Sequence, residues 1–263
     1  MGYSKREKGV IDMKTAVSYQ AIDDLPEHLI PPLLQFWLAY ADTKHRLGIQ
    51  CSHWVTGTPA LEGAVGSAAL TQDELGHART LYGILRRFPN APMSIGADHD
   101  LEARDVYYAP SSLTPRWAHW IDVVAFNITL DRGLQMVMET AVDSTFTFIA
   151  GCSQKLLQEE RFHRIFGDTW LEKLTASSDP RLLAQLQDSI HHAAQITQQW
   201  FGPPDDPALA VMIEHGILKP SASSLYLRWH EEVSALLIKS DLQLPMPVIN
   251  WEAWNPDFRE LYP

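Results

Sequence analysis

Apolar residues recur at helical spacing over most of the chain, and no series of alternating strand patterns punctuated by hairpin turns interrupts them. A first helix is expected to begin after Pro31 and Pro32, which suit an N-terminal turn. Trp37, Ala41, Lys44 and Gly48 then fall along one stripe, and the segment Thr56 to Pro59 breaks the helix. A second helix follows from about Pro59 to about Arg87, ending at the Phe-Pro-Asn-Ala-Pro segment. Residues 93–114 form a mixed connection, of the kind that crosses over or covers one end of a bundle. A third helix from about Pro115 to Val142 meets the cap-forming Asp143-Ser144-Thr145, and a fourth runs on to about Thr175. Further helical patterns cover about 180–200, 206–216 and 221–239, before a tail rich in proline and tryptophan.

These spans predict an all-α chain in three parts: an N-terminal tail over 1–27, a helical domain over 28–240 and a C-terminal strap over 241–263. Two similar helical hairpins, followed by additional C-terminal helices, suit a helical bundle.

Composition narrows the partners. The chain has 263 residues and a formal charge of -11, which repels phosphate backbones and anionic lipid, so neither nucleic acid nor a membrane is expected. No apolar run approaches the ~18 residues that span a bilayer. Two cysteines, Cys51 and Cys152, are too few for a disulfide framework and fit a reducing, cytoplasmic compartment.

One internal similarity carries chemistry. Leu70-Thr71-Gln72-Asp73-Glu74-Leu75-Gly76-His77 repeats as Leu156-Leu157-Gln158-Glu159-Glu160-Arg161-Phe162-His163, each with Gln, an acid, Glu, two residues and His. Glu and His three positions apart project from one helix face, so each pair can present a carboxylate and an imidazole to a cation, and two pairs suit two metals. The same groups without metal would form a buried polar network.

Ferritin-like di-iron bundles take one further carboxylate from each helix without the motif. Residues level across an antiparallel hairpin lie symmetrically about its turn. For Glu160 the level residue is Asp131, which centres the hairpin on the Asp143-Ser144-Thr145 break; Glu139 would place the turn inside Phe148-Ile149-Ala150. For Glu74 the same construction points to Lys44 or His45, neither a carboxylate. Asp42 is offset by two residues, roughly 200° around the helix, and cannot replace the missing group. A protonated Lys44 would set a positive charge beside the cluster or salt-bridge to Glu74 or Glu160. A neutral, desolvated one could coordinate a metal or act on a proton. His191, His192, His215 and His230 have no partners at ligand spacing and receive no role. Trp37, Phe126, Phe146 and Phe148 are read as core, with a pocket near the metals as the alternative.

The stretch ALTQDELGHARTLYGIL, preceded by SHWVTGTPALE, resembles the first ExxH hairpin of the phenylacetyl-CoA 1,2-epoxidase family, the phenylacetate catabolic proteins. FNITLDRGLQ followed by LLQEERFHR resembles the second. Similarity to the family's structural subunit extends through DTWLEKL and DDPALAVMIEHGI, so the resemblance spans roughly residues 30 to 235. It implies a ferritin-like fold and, by carry-over from the catalytic subunit, iron ligands at Glu74, His77, Asp131, Glu160 and His163, with the first glutamate replaced by Lys44. Glu74 and Glu160 would bridge two irons, and Lys44 is the candidate catalytic residue if it is not a structural cation. One iron or none is the alternative occupancy.

The leading expectation is therefore a di-iron-type monooxygenase that activates O2 for an aromatic or acyl-CoA-type substrate. The resemblance implies a CoA thioester as the small-molecule substrate, a reductase as electron donor, and a homo-oligomer or a related helical subunit. The competing expectation is a non-catalytic structural subunit in which Lys44 replaces the charge of the lost iron.

Overall fold

The computed structural model describes residues 18–92, 95, 104 and 106–262. The first 17 residues of the expected tail, and most of the 93–105 part of the expected connection, lie outside the described residues.

Four antiparallel helical stretches form the bundle. Helix α1 spans Ile30–Ser52, with Pro31 and Pro32 in its first turn, and α2 spans Leu61–Leu85. The third stretch is one continuous rod in three parts: α3 (Trp120–Phe126), a π-helical segment (Asn127–Asp131) and α4 (Arg132–Thr140). Helix α5 spans Thr147–Thr175. The third helix thus starts five residues later than the apolar pattern suggests, because residues 115–119 remain irregular ahead of Trp120.

The fold is all-α and ferritin-like, with additional C-terminal helices. Helix α6 (Pro180–Phe201) packs on α3 and the π segment, α7 (Pro207–Glu214) on α1, and α8 (Ala222–Leu237) on α4 and α6. Asp179, Asp206 and Ser221 accept backbone N–H bonds at the starts of α6, α7 and α8, satisfying donors that a helix leaves unpaired. Among the described residues the only strands are β1 (Trp254–Asn255) and β2 (Glu260–Leu261), an antiparallel pair. No described helix is long and apolar enough to cross a membrane.

Helix α1 is the central element. Four consecutive polar residues, Asp42, Thr43, Lys44 and His45, are fully buried. Successive residues turn about 100°, so each faces a different neighbour, and α1 is covered all round. Asp42 meets Arg104 and Tyr82, Thr43 accepts the Trp200 indole N–H at 3.0 Å, Lys44 enters the bundle centre, and His45 stacks on Tyr107. The covering of Thr43 explains the need for α6.

The C-terminal residues are held by one buried cation. Arg259 donates to the Trp200 and Phe201 carbonyls at 2.5 and 2.8 Å and to Asp206 at 3.1 Å. Those carbonyls end α6, where the helix dipole favours a positive group. Gly202 turns the chain there at φ 88°, a conformation suited to glycine.

Candidate functional site

The bundle centre gathers Lys44 from α1, Glu74 and His77 from α2, Asp131 from the π segment, and Glu160 and His163 from α5. All six are at most 3 % exposed. Both Glu-x-x-His pairs face inward, as three-residue spacing on a helix dictates. The turn symmetry places Asp131 and Lys44 level with them.

Lys44 sits among the three carboxylates. Its ammonium contacts Asp131, lies 2.5 Å from Glu160 Oε1 and 3.1 Å from Glu74 Oε2. His163 Nδ1 is 2.9 Å from Asp131 Oδ2, and His77 Nδ1 is 3.3 Å from Glu160 Oε1. The two imidazoles stack with centroids 5.8 Å apart. Asn127 donates to Asp131 Oδ2 at 3.1 Å from one helical turn earlier.

Burial opposes the Lys44 ammonium, yet Asp131, Glu160 and Glu74 together raise its pKa well above the lysine range. Burial likewise opposes His163⁺, but Glu160 and Asp131 hold it protonated well above the usual imidazole range. Burial also works against ionised Asp131 and Glu160, and the Lys44 and His163 charges outweigh it and lower both carboxyls. Glu74 goes the other way: burial, reinforced by Asp131, raises it well above the carboxylate range. Lys44 and His163 are thus held charged by the carboxylates around them, and Glu74 is the least readily ionised of the three acids.

The π segment positions Asp131. A single-turn π segment re-aims side chains within a helix and leaves its carbonyls poorly matched. Here the Trp229 indole of α8 donates to Thr129 O at 2.9 Å. Gly167 of α5 lets the Asn127 side chain approach, because a Cβ there would lie 2.1 Å from Asn127 Oδ1.

The acids that precede the motif glutamates have a task the spacing alone does not assign them. Glu159 Oε2 of α5 lies 2.8 Å from His77 Nε2 of α2, and Asp73 Oδ2 of α2 lies 3.5 Å from His163 Nε2 of α5. The repeated Gln-acid-Glu frame was the visible signal; the glutamines themselves, Gln72 and Gln158, are exposed.

Residues weighed as alternatives lie elsewhere. Asp42 points away from the centre and accepts from Arg104 (2.6 and 3.0 Å), Tyr82 (2.5 Å) and the Tyr108 N–H (2.7 Å). His45 is stacked on Tyr107 at 4.8 Å and takes no part in the cluster. Glu139 pairs with Arg228 near the surface. Trp37 and Phe146 belong to the core, Phe148 packs against it, and Phe126 lines a small cavity at the centre.

Among the described residues, Glu74, Asp131 and His163 each offer an atom within 4.8 Å of the others, a group that can hold one metal ion. Glu160 Oε2 and His77 Nδ1 also lack hydrogen-bond partners. Two divalent ions do not fit this centre with Lys44 in place. The ammonium occupies the space among the carboxylates, and five positive charges would face three negative ones in a buried site. The adjoining cavity, lined by Leu47, Cys51, Leu70, Trp117, Val123 and Phe126 beside Glu74 and Asp131, has a volume of about 10 Å³. That is room for about one water molecule.

Residues 13–260, nearly the whole chain, match the phenylacetic acid catabolic protein family. No curated protein matches the chain.

Proposed function

The chain belongs to the phenylacetic acid catabolic protein family, and from that premise we propose that it is a non-catalytic helical subunit of a phenylacetate-type oxygenase assembly, its bundle centre held by a lysine in place of iron. The observation that carries this reading is the contact of Lys44 with Asp131, Glu160 and Glu74. An ammonium there supplies the positive charge that a metal supplies to the ligand set of a di-iron bundle. The cavity of about 10 Å³ supports the same reading, since pockets for organic ligands run to roughly 300–1,000 Å³. Oxygenation, the CoA-thioester substrate and the electron-donating reductase then belong to a related helical subunit with a full carboxylate set.

The grouping of Glu74, Asp131 and His163 favours a second reading, an oxygenase that works with fewer than two irons and uses Lys44 in its chemistry. In such an enzyme iron supplies the oxygen chemistry, while the protein supplies ligand geometry and excludes water.

Anaerobic loading with Fe(II), followed by metal analysis of the desalted protein, separates the two. Essentially no retained iron is expected for the subunit. One retained iron per chain, with substrate-dependent O2 uptake when a reductant is supplied, would establish the second reading. Two retained irons would overturn both and restore the di-iron oxygenase expected from the motifs.

A further inference from the structure

Away from the bundle centre, two histidines separated by 187 positions meet near the protein surface. His28 lies in the short 3₁₀ turn Glu27–Leu29, and His215 follows the last turn of α7. Their Nε2 atoms are 3.2 Å apart, with ring planes inclined at 59°.

Both rings stand on anchored backbone. Leu29, beside His28, is fully buried. The His215 carbonyl accepts from Thr145 Oγ1 at 2.7 Å, and the next carbonyl, that of Gly216, accepts from the Thr145 N–H at 3.1 Å. The Tyr19 hydroxyl lies 2.8 Å from His215 Nδ1. Tyr19 is itself pinned, donating its N–H to Thr145 O at 2.8 Å and accepting from the Thr147 N–H at 3.1 Å.

Nitrogen ligands bind zinc at about 2.0–2.1 Å, so two nitrogens 3.2 Å apart subtend roughly 100° at a shared ion, between octahedral and tetrahedral angles. The same spacing also suits an N–H···N hydrogen bond, which is the metal-free state of the pair. Both Nε2 lone pairs are free for the ion when each ring carries its hydrogen on Nδ1, and in that tautomer the His215 Nδ1–H donates to the Tyr19 oxygen. Exchange with water carries the hydrogen between the two ring nitrogens. A hydrogen bond on the remote ring nitrogen is how metal-binding histidines are oriented.

We propose that His28 and His215 form a surface site for one divalent transition-metal ion of the zinc or copper class, oriented through Tyr19 and completed by water. Bound metal ties the segment before α1 to the end of α7. The site shares no residue with the bundle centre, so it holds under either reading of that centre.

The test is titration of the full chain with zinc alone, against a competing chromophoric chelator, for wild type, His28→Gln and His215→Gln. Zinc taken up at the bundle centre is common to all three and cancels in the comparison. Wild type is expected to bind one equivalent more than either variant and to melt at a higher temperature with zinc, a rise that both variants lose. Tyr19→Phe should keep the stoichiometry and bind about tenfold more weakly. His28 is exposed, so His28→Gln folds as wild type does and decides the matter even if His215→Gln does not fold. Equal zinc uptake and equal melting shifts in wild type and His28→Gln overturn the proposal.

Discussion

His77 of α2 directs its Nε2 at Glu159 of α5, 2.8 Å away. Its counterpart is looser, an ion-pair contact without a hydrogen bond: His163 of α5 turns its Nε2 towards Asp73 of α2 at 3.5 Å. Each acid immediately precedes the motif glutamate of its own helix and serves the histidine of the other. The two copies of the repeat thus clasp one another across the α2–α5 seam, leaving both Nδ1 atoms towards the centre.

Removing one clasp should free one ring. Glu159→Ala is expected to shift the imidazole nitrogen resonances of His77 and to cost up to about 1 kcal/mol, since its carboxylate is 41 % exposed and screened. Glu159→Gln, which keeps an acceptor, should largely restore the resonances. Asp73→Ala should disturb His163 less, in keeping with the longer separation. Nitrogen-detected NMR of the histidines checks this, and an unmoved His77 in Glu159→Ala would count against the clasp.

Lys44→Met keeps the volume of the lysine stem and removes its charge. Asp131 and Glu160 then lose the ammonium that holds them ionised, and the expected cost is about 3–5 kcal/mol at neutral pH. The sign with pH follows. Carboxyls without their counterion rise in pKa, so acidification lets them take up protons in the folded state and relieves the penalty. Urea unfolding at pH 8 and pH 5.5 should show the gap between variant and wild type narrowing at the lower pH. A gap that stays constant would mean that the ammonium does not neutralise the centre.

His45 supplies a separate acid-sensitive element. Burial, with Arg46 and Arg104 nearby, lowers its pKa from 6.5 to about 4. Protonation is therefore easier in the unfolded chain, and stability falls as pH drops through 6.5 towards 4. Between pH 7 and pH 5 the loss is about 2 kcal/mol, from the free-energy value of a pKa unit. His45→Phe preserves a ring against Tyr107 and should lose about that much less stability than wild type over the same interval. Parallel acid-denaturation curves would rule out a neutral buried His45.

Much of the fold was legible because the signals were local. Pro31-Pro32, the Thr56–Pro59 break and the Asp143-Ser144-Thr145 break set helix ends within a few residues, although the residue that precedes α5 is Phe146, with no side-chain cap, and hairpin symmetry put Lys44 and Asp131 level with the motif glutamates. The π segment was not legible, because its apolar pattern continues that of its neighbours and its stability rests on Trp229, a hundred residues away. The partners of the histidine Nε2 atoms were hidden for a related reason. Spacing along one helix says which residues share a face, and the clasps run between helices. Arg259 was likewise beyond reach, since its role depends on the carbonyls that end α6.

Gly167 is the most exacting position near the centre. A methyl group there would lie 2.1 Å from Asn127 Oδ1 and 2.9 Å from Ile128, both in the π segment that carries Asp131. Gly167→Ala must therefore displace the Asn127 and Ile128 side chains. Overpacking of this kind costs about 1–3 kcal/mol, and here the Asn127 hydrogen bond to Asp131 goes with it. The direction is opposite to the stabilisation that glycine-to-alanine changes usually bring inside helices. Steric displacement and helix propensity can be told apart with a second substitution. In an Asn127→Ala background the clashing oxygen is gone, so Gly167→Ala should cost at least 1 kcal/mol less than in wild type. Chemical denaturation of the two single variants and the double variant gives that coupling directly. If the costs simply add, Gly167 is not what seats Asn127 against α5.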